Sequence, residues 1–125
     1  MVATSVNQSK KLLELGLNPE TADMYYFLDP TPAGSIYHLT PMAVDYGIKN
    51  LPEYDKGDVS AWSLGALIEM LPKGLKKDNL HIIPSASLWH VGYDFSEHVE
   101  RSDNLLEAVY ATIIWLLENK YLKTK

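Results

Sequence analysis

The side chains best suited to general-base or metal-ligand work are the four histidines, His38, His81, His90 and His98. Imidazole changes charge near neutral pH and is the commonest metal ligand. His81 and His90 flank Pro84-Ser85-Ala86-Ser87, a stretch with the composition of a chain reversal. If that turn closes symmetrically, Ile83 opposes Leu88, Ile82 opposes Trp89, and His81 opposes His90. Both imidazoles then point away from the side that carries Trp89 and Tyr93. Such a pair supplies two of the three or more protein ligands that a zinc site uses. Asp94 lies four residues along the strand from His90, too far to complete the set easily, and His98 arrives only if its loop folds back. No helical His-x-x-x-His or His-Glu spacing occurs. No metal and no cofactor is expected, and His81 and His90 are read as solvent-facing residues of a sheet.

Carboxylates are the second candidates. Asp94, Glu97, Glu100 and Asp103, with His98 among them, crowd the segment before the last predicted helix. Paired carboxylates do acid–base work when burial separates their pKa values. This run is polar on both sides and has no glycines to form a pocket, and acids before a helix start are favoured by the macrodipole alone. A solvated loop over 96–103 is the expectation. Ser85 and Ser87 lie in the turn with no evident base, and no Gly-x-Ser-x-Gly elbow, phosphate loop or dinucleotide fingerprint exists. No catalytic residue is assigned. The alternative, a small enzyme, requires two or more of His81, His90, His98, Asp94 and Glu97 to converge in a pocket.

Aromatic side chains form the third group. Tyrosine and tryptophan give large apolar area with a polar tip and are favoured anchors of protein interfaces. Tyr25 and Tyr26 are adjacent, so in a strand they face opposite ways. Ile114 and Trp115 lie on the outer part of a helix that is apolar almost all round. These four residues, Tyr25, Tyr26, Ile114 and Trp115, are the candidate interface, with a protein partner or a second copy of the chain.

The elements that must position these groups follow from periodicity and caps. At ~100° per residue, Leu105, Val109, Ile113 and Leu116 form one stripe of a helix over 103–122, and Leu106, Tyr110, Leu117, Ala108 and Trp115 widen it. Glu107 and Glu118 mark its one narrow polar strip, and Asn104 with Glu107 three residues later is the capping box expected at its start. Such a helix must be covered on more than one side. A first helix over 5–15 ends at Gly16, a left-handed C-cap followed by the apolar Leu17, and Asn18-Pro19 starts a single new turn. A second helix over 60–71 is capped by Ser60 and ended by Pro72. Alternation predicts a hairpin over 79–95 and a strand pair over 25–39, reversed at Asp29 to Gly34. Prolines and glycines between Thr40 and Val59 prevent a long element there, and Tyr46 and Tyr54 suggest that this stretch packs on something. The fold class expected is α+β: one domain, 1–125, with a small antiparallel sheet packed by three helices.

Composition narrows the function classes. The chain has 125 residues, enough to bury a core without staples, and no cysteine, which removes disulfides and thiolate chemistry. Its formal net charge is −5 and its lysines are scattered, with Arg101 the only arginine, so no nucleic-acid partner is expected. The −5 charge alone motivates one further alternative, an acidic nucleic-acid-mimic decoy. The longest apolar run, Ala108 to Leu117, is about half of the ~20 residues of a membrane span. The first residues lack a secretory apolar run. A cytoplasmic protein without membrane contact is expected.

Several blocks carry a resemblance. They are Gln8-Ser9-Lys10-Lys11-Leu12-Leu13-Glu14-Leu15-Gly16-Leu17, Thr21-Ala22-Asp23-Met24-Tyr25, Ala61-Trp62-Ser63-Leu64 and Leu67-Ile68-Glu69-Met70-Leu71-Pro72. To these add Asn104-Leu105-Leu106-Glu107-Ala108-Val109 and Ile114-Trp115-Leu116-Leu117-Glu118-Asn119. Together they resemble an uncharacterised family of small proteins from Bacteroides-type gut bacteria and their prophages. The blocks are helix stripes and caps, so the resemblance implies no catalytic or binding residue. It implies a phage or mobile-element accessory protein in a bacterial cytoplasm. The function expected is a non-enzymatic protein-interaction module.

Overall fold

A computed structural model of the chain describes residues 3–41, 58–75, 78–93 and 98–122. The elements are α1 (Val6–Glu14), a 3-10 turn (Pro19–Thr21), β1 (Met24–Thr31), β2 (Gly34–Pro41), β3 (Val59–Ala61) and α2 (Leu64–Met70). They continue with β4 (Gly74–Leu75), β5 (Asp78–Ser85), β6 (Leu88–Tyr93), β7 (Val99–Ser102) and α3 (Leu105–Glu118). The class is α+β, as expected. Its strands form two antiparallel sheets, β2-β1-β3 and β4-β5-β6-β7, so the two expected hairpins sit in separate sheets. The expectations for 42–57, Tyr46 and Tyr54 included, and for Asp94 and Glu97 lie outside the described residues.

Local chemistry sets the helix ends. Ser5 and Gln8 make a reciprocal capping box on α1, with Ser5 Oγ accepting from the Gln8 N–H at 3.1 Å and Gln8 Oε1 from the Ser5 N–H at 2.9 Å. At the other end Gly16 has φ 99°, and the N–H groups of Gly16 and Leu17 reach Leu13 and Leu12 oxygens, each at 3.0 Å. That is the Schellman closure the glycine predicts. Helix α3 ends the same way, with Lys120 at φ 61° in the glycine position and the Tyr121 N–H on the Leu116 oxygen at 2.9 Å.

Ser60 does not cap α2. It lies in β3, paired with Tyr25, and Ser63 is the cap, its Oγ accepting from the Ala66 N–H at 3.2 Å. The reason is long-range. Trp62 is fully buried and its indole N–H donates to Thr21 Oγ1 at 3.0 Å, which fixes Val59 to Trp62 as extended chain.

The 79–95 hairpin also differs from expectation. Its reversal is the two-residue loop Ala86-Ser87, with Ser85 opposite Leu88 and Pro84 inside β5 opposite Trp89. Ile83 therefore opposes His90, and His81 opposes Gly92. Pro84 costs no ladder bond, because β4 pairs only Asp78 and Asn79 and has ended before the proline is reached. Residues 99–102, expected in an acidic loop, pair with β6 as β7. The close approach needs a glycine: a Cβ on Gly92 would meet the His98 carbonyl oxygen at 3.0 Å.

One core joins these elements. Val109, Ile113 and Leu116 of α3 are fully buried with Leu12, Trp62, Leu67 and Val91, and Leu106, Ala108 and Leu117 surround them. Thr112 joins the buried face by turning its hydroxyl onto the Ala108 oxygen at 2.9 Å. Beside this core lies a polar knot around Thr4, which is 0% exposed. Thr4 Oγ1 meets Ser9 Oγ at 2.8 Å and accepts from the Trp62 N–H at 3.1 Å. The Thr4 main chain takes the Tyr26 hydroxyl at 2.7 Å and donates to the Trp62 oxygen at 2.9 Å. A second long-range polar tie joins Gln8 Nε2 to both oxygens of Glu107, at 3.0 and 2.9 Å. Asn104 caps α3 as expected, accepting from the Glu107 N–H at 3.2 Å. The Glu107 carboxylate, however, goes to Gln8 rather than back to Asn104.

Candidate interaction surface

The register separates the imidazoles. His81 and His90 do share the face of the second sheet turned away from α3, but as diagonal neighbours rather than a facing pair. Ile83, Leu88, Val99 and Arg101 occupy the same face. His38, on β2, contacts Asp29 at 3.3 Å. His98 lies on the other side of the second sheet, its ring stacked on the Trp115 indole at 4.3 Å and 8° and its Nε2 against the Glu100 carboxylate. Asp103 is exposed at the start of α3. Among the described residues, no three His, Asp or Glu side chains converge where a metal could sit.

A cleft of about 500 Å³ opens beside α2, lined by Thr21, Asp23, Ser63, Gly65, Glu69 and Met70. Its serine is committed to structure. The Ser63 hydroxyl donates to Asp23 at 2.5 Å while accepting from the Ala66 N–H, and the Ser63 N–H reaches the same carboxylate at 2.9 Å. The lining carries no imidazole to act as base. This arrangement closes a strand-to-helix corner and offers no activated nucleophile.

Three of the four candidate interface residues are packed within the chain. Tyr26 meets Tyr37 edge to face at 6.2 Å, gives its hydroxyl to Thr4, and has its pKa raised by burial. Trp115 stacks on His98 and meets Tyr121 at a tilt, and Ile114 packs against the core. Tyr25, on the opposite face of β1 from Tyr26, is half-buried. The β1–β2 register aligns it with Thr40, and aligns Phe27 with His38 and Asp29 with Ile36. Directly opposed residues share a face, so Tyr25, Phe27 and Ile36 lie on one side of the ribbon with the His38–Asp29 pair. Phe27 is 37% exposed and Ile36 50%.

Sequence reasoning missed Phe27 and Ile36. The signal available was the two-residue step from Tyr25 to Phe27, but Tyr26 and Leu28 are as apolar, so composition alone gave no solvent face. A second exposed pair, Ile83 at 49% and Leu88 at 38%, lies on the outer face of the second sheet.

The two sheets differ at their edges. β4 has two residues, β7 has four with Glu100 and Arg101 among them, and β3 is short and buried. All are blunted in ways that prevent pairing with another chain. β2 is not. It runs for eight residues, Gly-Ser-Ile-Tyr-His-Leu-Thr-Pro, without Lys, Arg, Asp or Glu, and among the described residues nothing pairs with its outer side. Among the described residues no helix is long and apolar enough to cross a membrane. No protein-family model matches the chain, and neither a curated protein nor a solved structure matches it.

Proposed function

We propose that this protein is a non-enzymatic interaction module whose binding surface is the β1–β2 ribbon, with Tyr25, Phe27 and Ile36 as its apolar contacts. The observation that carries the reading is that Phe27 and Ile36, two large apolar side chains open to solvent, are diagonal neighbours on one face of a hairpin at a sheet edge. Apolar side chains beside a strand edge that no described residue pairs with are what a strand-adding partner uses, the edge supplying main-chain hydrogen bonds and the side chains the specificity. A phage or mobile-element accessory protein of Bacteroides-type bacteria, acting in the cytoplasm on a host or phage protein, is the setting that the sequence resemblance favours.

The test uses Phe27→Lys in the full chain. Circular dichroism and urea melts should match the wild type, because the ring is partly in solvent. A partner isolated from native host lysate with the wild-type protein, identified by mass spectrometry and then purified, should bind Phe27→Lys at least tenfold more weakly. Equal binding by the two proteins would overturn the reading.

A further inference from the structure

Resting on that reading, we infer that one occupant of the ribbon is a second copy of the chain, its β2 added antiparallel to the first about a two-fold axis through Tyr37. Antiparallel partners alternate between pairs that exchange hydrogen bonds and pairs that do not. The Leu28 N–H donates to Asp58 Oδ1 at 3.0 Å, away from β2, so the Leu28–Tyr37 pair is one that does not. The N–H and C=O of Tyr37 therefore face outward, and by alternation so do those of Ser35 and Leu39.

That set is self-complementary. With Tyr37 opposite its own copy, Ser35 falls opposite the second copy's Leu39, and every outward N–H of both strands meets an outward carbonyl. Shifting the axis to His38 would bring Ser35 opposite Pro41, which has no N–H to give. Side chains agree with the Tyr37 register. On one face the two Tyr37 rings meet. On the other, Ile36 falls opposite His38 of the second copy, so the two Phe27–Ile36 patches merge across the axis. Along the two strands no like charges oppose each other, because β2 has no Lys, Arg, Asp or Glu and His38 is held by its own Asp29. The cation nearest the axis is Lys10, which lies over the Tyr37 ring of its own copy at 5.9 Å. The symmetry is that of an isologous dimer.

Because the chain has no cysteine, single cysteines report this register cleanly. Tyr37→Cys should form a disulfide dimer under mild oxidation, since facing Cα atoms in such a pair lie ~5.5 Å apart, within disulfide reach. Ser35→Cys alone and Leu39→Cys alone should stay uncrosslinked, while their equimolar mixture should cross-link. Unmodified protein at about 0.15 M salt, where charges beyond ~8 Å are screened, should sediment as a concentration-dependent dimer. Ile36→Lys, a change at a half-exposed side chain, should weaken that dimer at least tenfold with an unchanged circular dichroism spectrum. A monomer at all concentrations, or a dimer whose cross-links ignore this pattern, would overturn the pairing. Neither result touches the ribbon as a binding surface, which stands or falls on Phe27→Lys.

Discussion

Replacing Thr4 with valine removes one oxygen from the driest polar site in the fold while keeping the side-chain volume. The main-chain bonds of residue 4, to the Trp62 oxygen and from the Tyr26 hydroxyl, survive the change. What is lost is the acceptor for the Trp62 N–H and the partner of Ser9 Oγ. An orphaned buried N–H costs about 1–3 kcal/mol, and the lost Ser9 bond a further ~0.5–1.5 kcal/mol. The second figure is the lower because that hydroxyl can turn to the Ser5 carbonyl one helical turn back. The sum is about 1.5–4.5 kcal/mol, a large part of the ~5–15 kcal/mol that holds a domain together. Thr4→Ser keeps the oxygen and deletes one methyl group, for about 1 kcal/mol. The expected order in urea melts, followed by tryptophan fluorescence and far-UV circular dichroism, is wild type, then Thr4→Ser, then Thr4→Val. Ser9→Ala should also cost less in the Thr4→Val background than alone. A Thr4→Val protein as stable as Thr4→Ser would refute the reasoning, for volume rather than hydrogen bonding would then hold the site.

Three other outcomes are expected. Ile113→Ala, at a position with 0% exposure in the middle of α3, should lower stability by ~2–5 kcal/mol; a loss below about 1 kcal/mol in urea would contradict its place in the core. Lys120→Gly should stabilise by about 0.5–1 kcal/mol, because a lysine now holds the left-handed position of the α3 C-cap; a melting temperature at or below the wild type would deny strain there. Burial pushes the Tyr93 hydroxyl up to about 12, and it raises Tyr26 and Tyr110 too, the latter with help from Glu107. An unfolded tyrosine ionises near 10, so the contribution of Tyr93 is complete below pH 10 and is lost as pH climbs from 10 through about 12. Tyr93→Phe should flatten the fall in stability over that window, measured by urea melts at stepped pH.

What the residues disclose without coordinates is what neighbours decide. Gly16, Asn18-Pro19 and Asn104 each act within a few positions, and each ends or starts its helix as its type implies. The α3 stripe was legible for the same reason, since a helix repeats its own geometry. Ser60 and Ser63 are equally good caps by composition, and the choice between them fell to Trp62 and Thr21, forty-one positions apart. Pro84 carries the chemistry of a turn, yet it is accommodated in a strand because the neighbouring strand has stopped. A two-residue change of register then moved His81 from facing His90 to facing Gly92, which dissolved the imidazole pair. The exposed face of the β1–β2 ribbon stayed hidden because Tyr25, Tyr26, Phe27 and Leu28 are apolar on both sides.

The bond from Gln8 to Glu107 spans 99 positions, and it bears on how the molecule is made. Synthesis runs from the first helix towards the last, and Val109, Ile113 and Leu116 seal a cavity whose other walls emerge from the ribosome earlier. Until α3 follows, Leu67 of α2 and Val91 of β6, whose elements it packs against, lack that cover. The nascent chain therefore waits with its apolar interior uncovered and closes in a late, all-at-once step, the interval in which chaperone attendance matters most.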